Sequence, residues 1–471
     1  MGRRPLGRVR AHHRFPRPEP HSHRHPRRSR LGPTTLIPMH TSTLSRLPVA
    51  AGLLALVFSA VLPATLSADT FTWNSSAAGT WDTTSTSAWS SGVAWNNAGN
   101  DTASFGGSAA TYTVSIAPAV AISAGGITVS TGNNVTIGGG VGSSFTLAGT
   151  TPTIGGAGNT TLDIVLAGSN GLTKSGGGTL RFKQTSTYTG DTALSGGQLT
   201  LEANDGVGST GKLTISGGAT FSMQGKNQSL AGLSGVSGTT IRSTSANTTS
   251  TLTITGGTNT FAGTLSNSGT NALLSLTNSG GTLALTGTNS YSGATIVSGG
   301  TLNLGSSLAN TNSVTVSGGT LNSSVSTAVA LGTGAFSLTS GALAINGTSI
   351  GSFTLATGQN FTASIGTLNF TLGASNTSDQ IIGSGAFNLS SLTLALNGTT
   401  SVAGSYTLFS GFTGNSVSDI TITGLDPGFT GVFGTNGILT VSAIPEPSTF
   451  AALFGVAALG VAALRRRETR A

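Results

Sequence analysis

The chain has 471 residues, 71 of them glycine and none cysteine, and only 7% are charged. The lack of cysteine excludes thiol nucleophiles, thiolate metal sites, disulfides and a lipobox lipid anchor. The formal charge of +8 suggests a nucleic-acid binder only until it is followed along the chain, because residues 1–38 hold ten arginines against Glu19, whereas Asp69 to Ala443 holds six bases and ten acids. The body is therefore mildly acidic and carries no basic stripe, so nucleic acid is not expected as a partner.

Residues 1–38 are rich in Arg, Pro and His and poor in apolar side chains, which predicts a disordered basic extension ahead of a start at Met39, with a long basic leader as the alternative. A twin-arginine reading of Arg3-Arg4 is weak, since the apolar stretch begins more than 40 residues later. Residues 39–68 read as a signal peptide. Arg46 is the basic region, Leu47 to Leu62 the apolar stretch, and small residues around Ser67-Ala68 place signal cleavage near Ala68.

Residues 69–110 hold all four tryptophans, Trp73, Trp81, Trp89 and Trp95. Their spacing follows one face of neither a strand nor a helix, which predicts a turn-rich N-terminal cap of packed aromatics. A carbohydrate-binding platform is the alternative.

Residues 111–382 contain a repeat. The clearest copy begins at Ser279-Gly280-Gly281-Thr282-Leu283-Ala284-Leu285, continues through Asn289-Ser290-Tyr291-Ser292-Gly293, and closes on Ser298-Gly299-Gly300-Thr301-Leu302-Asn303-Leu304. An earlier copy has Thr179-Leu180, Tyr188-Thr189-Gly190 and Ser195-Gly196-Gly197-Gln198-Leu199-Thr200-Leu201, and Ser317-Gly318-Gly319-Thr320-Leu321 repeats the corner. Thr-Leu-x-Leu is a strand with one buried face, and Gly-Gly supplies the freedom for a sharp corner. Neighbouring Ser-Gly-Gly corners lie 19 to 21 residues apart, enough for three short strands with their corners, or one coil of a solenoid. Asn289 and Asn303 are expected at corners, where positive φ or a side-chain ladder suits asparagine.

This series resembles the autotransporter-associated β-strand repeat, most clearly over 171–201 and 278–321, and the resemblance implies a right-handed parallel β-helix. The first copy departs from the pattern, with Ser186 in the place of Asn289 and Thr187 in that of Ser290. Residues 383–443 keep the alternation of polar and apolar residues but lose the Ser-Gly-Gly corners, which predicts a C-terminal β cap with a tight turn at Gly424 to Gly428.

Residues 444–471 open with Pro445-Glu446-Pro447-Ser448, continue with the apolar run Phe450 to Leu464, and reach Arg465-Arg466-Arg467. A transmembrane helix over 448–464 would be about 25 Å long, near the lower limit for a span, with the three arginines as topological stop. The prolines keep the preceding segment extended and open to a protease. This order resembles the PEP-CTERM sorting signal of Gram-negative bacteria, and the resemblance implies cleavage at Pro-Glu-Pro by a membrane-embedded exosortase. An unprocessed tail anchor is the plain alternative.

Downstream of the signal peptide there is no histidine or cysteine, which excludes triads and zinc sites of the usual kind. Glu202 and Asp205 are the nearest acid pair, downstream in sequence of Lys174, Arg181 and Lys183, too thin a constellation for hydrolysis or lyase chemistry. Gly138-Gly139-Gly140 lacks the Lys-Ser/Thr of a phosphate cradle, calcium nonapeptides are missing, and neither a cofactor nor a metal is expected. Asn-x-Ser/Thr strings such as Asn74-Ser75-Ser76 and Asn346-Gly347-Thr348 follow from composition alone.

The chain thus reads as all-β: a capped solenoid plus one C-terminal helix, exported, non-enzymatic, and structural or adhesive. Exosortase is the processing partner, the membrane holds the chain before cleavage, the envelope or matrix is the destination, and extracellular polysaccharide is a candidate ligand. A glycan-binding or glycan-degrading β-helix is the alternative. An autotransporter passenger would need a C-terminal barrel of many strands, where the chain after Ala443 offers one apolar helix.

Overall fold

The computed structural model describes residues 68–468 except 76, 309, 346, 348 and 399, with the side chains of 447–450, 467 and 468 also outside the description. The extension 1–38, the signal peptide up to Ser67, and the strings Asn74-Ser75-Ser76 and Asn346-Gly347-Thr348 therefore fall wholly or partly outside the described residues.

The body is a parallel β-solenoid of about 13 turns. Coils lay strands on up to three faces, and strands of neighbouring coils pair in parallel. One face runs through Leu194, Ile215, Gly235, Phe261, Leu285 and Leu304. A second runs through Leu180, Leu199, Phe221, Ile241, Leu265 and Asn289. The third runs through Leu230, Ile254, Asn278, Val297, Val316 and Leu338. The alternation in Thr-Leu-x-Leu is what puts these columns inside: Leu283 and Leu285 are buried, while Thr282 and Ala284 are not.

The Ser-Gly-Gly corners need glycine for two reasons. Gly300 has φ +61, and a Cβ there would lie 2.0 Å from the carbonyl oxygen of Gly281 on the previous coil. Gly281 in turn has φ +64, and a Cβ there would lie 2.2 Å from Gly257 O. Left-handed backbone and coil-to-coil contact both exclude a side chain.

The two repeat copies sit one face apart. The corner at Ser195 leads from Thr192–Leu194 on the first face to Gln198–Leu201 on the second, whereas the corner at Ser298 leads from Ala294–Val297 on the third face to Thr301–Leu304 on the first. Leu180 to Leu199 and Leu283 to Leu302 are each one full coil, so the corner is a local device that fits any edge of the prism. The chain between the copies adds a non-integral number of coils.

Asparagine ladders run along the stack. Asn159 donates to Asn134 at 2.7 Å, Asn134 to Thr111 at 3.2 Å, and the Thr179 N–H donates to Asn159 at 2.8 Å. Asn303 belongs to a ladder too, accepting from Asn322 at 2.9 Å, but it lies within the strand Thr301–Leu304 and not at a corner. Asn289 is buried and bridges coils by donating to Ser306 at 2.8 Å.

At the N-terminal end, Thr70–Thr72 and Gly79–Trp81 are already parallel rungs. The outer edge of the first is closed where Ser90 N donates to Thr72 O and Asn74 N to Ala88 O. The edge of Ala121–Ala124 is closed by side chains: Ser123 N donates to Asn97 Oδ1, Asn97 Nδ2 to Ala121 O, both at 2.8 Å, and Trp95 Nε1 to Ser123 O at 3.2 Å. All four tryptophans are buried against one another, with neighbouring ring centroids 4.9 to 5.4 Å apart. Indoles packed in this way leave no open ring face for stacking a sugar.

At the other end, parallel rungs continue past Gly383 to Ser416–Thr423. Among the described strands, antiparallel pairing joins Gly404–Thr407 and Phe429–Phe433 to Ile438–Ala443, with the last strand in the middle, and isolated antiparallel bridges occur at Trp73–Trp89 and Leu372–Ser378. Gly424 to Gly428 makes the turn, Phe429 N donating to Asp426 O at 3.1 Å. The rungs persist without Ser-Gly-Gly because other glycines take the corners. Gly424, at φ +87, packs against Leu396 O.

The chain closes on a helix, Pro447–Glu468. It starts one residue earlier than the sequence pattern placed it and runs on through the arginines. Its described side chains, 451–466, are all exposed. Among the described residues no helix is long and apolar enough to cross a membrane, so the span expected over 448–464 is not supported by the structure.

Candidate functional site

Pro445-Glu446-Pro447-Ser448 hangs directly from the capping sheet. In Ile438–Ala443, Leu439 and Val441 are buried while Thr440 and Ser442 face outward. Ile444 N then donates to Gly428 O at 2.6 Å. Pro445 and Glu446 follow without regular structure and are exposed. Pro447 opens the helix, a position where its missing N–H costs nothing and its fixed φ is already helical. The motif is thus split. Pro445 and Glu446 lie in the irregular connection, whereas Pro447 and Ser448 are the first helical residues, with side chains outside the described set. Proline's preference for the first helical turn was the signal that could have moved the predicted start.

Arg465 and Arg466 are exposed in the last turns, where a helix C-terminus favours cations, and the Arg467 side chain lies outside the described residues. Ala68 is exposed, just ahead of Thr70–Thr72.

The acid pair is not assembled for chemistry. Glu202 faces Arg181 on the neighbouring coil at 3.7 Å, and Lys183 is paired to Asp163 at 2.6 Å. These contacts form a charge ladder on an exposed face, worth little individually. Asp205 occupies a corner with φ +47 and accepts from Ser229 N at 2.8 Å, which ties it to the next coil. Lys174 is buried, and its Nζ donates to the carbonyls of Ser175, Gly176 and Gly196 at 2.7, 3.0 and 3.2 Å, so it braces two successive corners. Burial lowers its pKa to about 8. Asp379 is also buried and accepts from Gly351 N at 2.7 Å and Thr371 N at 2.6 Å; burial raises its pKa to about 6 against the pull of those bonds. Both groups act as internal struts. Sequence reasoning missed the role of Lys174, Asp379, Asn97, Thr192 and Thr295; only the threonines carry a local signal, recurring four residues after each repeat tyrosine.

Comparison with known proteins agrees with this geometry. The model of the passenger-associated-transport-repeat matches residues 172–201 and 278–304, and that of the PEP-CTERM protein-sorting motif matches 443–467. The adhesin BmaC autotransporter of Brucella suis biovar 1 (strain 1330) is 38% identical over 143 residues, which is 30% of this chain and 4% of the adhesin. The chain therefore spans a small part of the length of that relative. Repeats and sorting motif together make it an exported β-solenoid with a PEP-CTERM tail.

Proposed function

We propose that the solenoid is a non-enzymatic structural or adhesive element, sorted to the cell envelope or extracellular matrix by removal of its PEP-CTERM tail. In this reading an exosortase cuts at Pro445-Glu446-Pro447 and separates the solenoid from the C-terminal helix that carries Arg465, Arg466 and Arg467. The observation that carries it is the position of the motif. Pro445 and Glu446 are exposed between a finished cap and a helix whose run from Phe450 to Leu464 has no charge. Apolar character on every side suits a helix whose surroundings are lipid or protein and not water.

The cargo has the matching character. Its exterior is a lattice of hydroxyls and amides with few charges, and Glu202 and Asp205 are engaged in structural contacts. Such a surface suits many weak hydrogen bonds to a hydroxylated polymer, which makes extracellular polysaccharide the proposed ligand. The test is fractionation of cells producing the chain with Pro445, Glu446 and Pro447 replaced by alanine. Retention in the membrane fraction is expected, and release equal to that of the parent chain would rule the reading out.

A further inference from the structure

The residues just ahead of the sorting motif are not a linker. Ile438–Ala443 is the central strand of the capping sheet, paired on one side with Gly404–Thr407 and on the other with Phe429–Phe433. Leu439 and Val441 anchor it in the core, and the bond from Ile444 N to Gly428 O fastens its end. Helix begins at Pro447. The stretch between sheet and helix is therefore residues 444–446, at most about 10 Å long even if fully extended.

A protease binds the bond it cuts within several extended residues, because only an extended chain presents its carbonyl and backbone groups to a cleft. Three residues do not supply that length. Helix on one side and sheet on the other enclose the bond, and the prolines at 445 and 447 leave little backbone freedom to gain more. Peeling the strand does supply it. The parallel coils through Ser416–Thr423 do not depend on that strand for their own pairing, so the sheet can open locally while the solenoid stays folded.

We propose that the capping sheet is a latch on tail removal: Ile438–Ala443 must peel from Gly404–Thr407 and Phe429–Phe433 before the motif is cut. The proposal rests on the sorting reading above. Cleavage breaks one peptide bond, the carbonyl side taking the incoming nucleophile, water or an amine, and the nitrogen leaving with the helix as a free amine. The latch sets how often that bond is presented, and it leaves the solenoid's other coils closed.

The test uses the full chain in its producing cells. Ser405 and Thr440 are directly paired and both exposed, in a chain with no other cysteine, so Ser405→Cys/Thr440→Cys can form a lock across the sheet. The oxidised lock is expected to slow release at least tenfold, with recovery on reduction. A six-residue Gly-Ser insertion between Ala443 and Ile444 is expected to speed release in the unlocked chain and to abolish the effect of the lock. Oxidised, locked protein released at the unlocked rate would overturn the latch. The Pro445, Glu446, Pro447 triple alanine variant separates the two ideas. Its normal release would defeat the sorting reading and the latch with it, whereas its retention combined with an ineffective lock would defeat the latch alone.

Discussion

Tyr188 and Thr192 share a hydrogen bond of 2.6 Å between their hydroxyls inside the solenoid, and Tyr291 and Thr295 repeat it at 2.7 Å although the two copies sit on different faces. Tyr-x-Gly-x-Thr is thus a closed unit: the ring fills the core, and the threonine four residues on satisfies the phenol. Burial pushes the Tyr188 phenol up to about 12 and that of Tyr291 higher still, so both stay neutral. Thr295→Val should leave the Tyr291 hydroxyl without its partner and cost about 1–3 kcal/mol, while Tyr291→Phe/Thr295→Val should recover most of the loss. Urea unfolding of both variants measures the difference; equal stability of the two would remove the pair from the core's energetics.

Corner glycines should divide sharply by environment. Gly300→Ala places a methyl against the Gly281 carbonyl at positive φ and should destabilise by more than about 2 kcal/mol. Gly177→Ala meets nothing within 4 Å and has no positive φ, so it should fall within about 0.5 kcal/mol of the parent. Thermal unfolding of the two variants gives the comparison.

The N-terminal edge offers a third case. Asn97→Ala removes two of the three bonds that close the outer side of Ala121–Ala124 and should cost about 1–2 kcal/mol. The freed edge should also raise the tendency to associate, seen as concentration-dependent sedimentation. A monomeric variant of unchanged stability would show that Trp95 and the surrounding loop close the edge unaided.

Two buried ionisable groups set opposite pH slopes. Lys174, lowered to about 8 from 10.5, binds a proton less readily when folded, so stability should rise as pH increases from 8 toward 10.5, where the unfolded chain still holds the extra proton. Asp379, raised to about 6 from 3.8, keeps its proton longer when folded, so its contribution is full below pH 3.8 and lost as pH rises through 6. Each effect should be on the order of 1–2 kcal/mol after allowance for screening. Lys174→Met and Asp379→Asn should each flatten the matching slope in unfolding midpoints taken between pH 4 and 9.5; parallel curves for parent and variant would contradict the assignment.

Much of this architecture is legible in the sequence because it is local. Thr-Leu-x-Leu fixes which side chains face inward, and Ser-Gly-Gly fixes corners through φ and contact distance, so the coil length follows from residues 279 to 304 alone. The face on which a corner falls depends on every coil before it, and no local signal in Ser195 or Ser298 carries that count. The rungs beyond Gly383 were hidden for a related reason. Leu392 and Leu394 pair with Gly366 and Leu368, but their corners use isolated glycines and left-handed residues such as Ser391 and Asp419 in place of the motif. At the tail, the order of motif, apolar run and arginines was readable. The distance from cap to motif was not, because it depends on Ile438–Ala443 taking the middle of a sheet whose other strands lie elsewhere in the chain.

The most direct test is the C-terminal mass of the protein recovered from the envelope and matrix of producing cells. Tail removal requires a chain that ends within or next to Pro445-Glu446-Pro447 and lacks the helix. Recovery there of protein intact to Ala471 would contradict it.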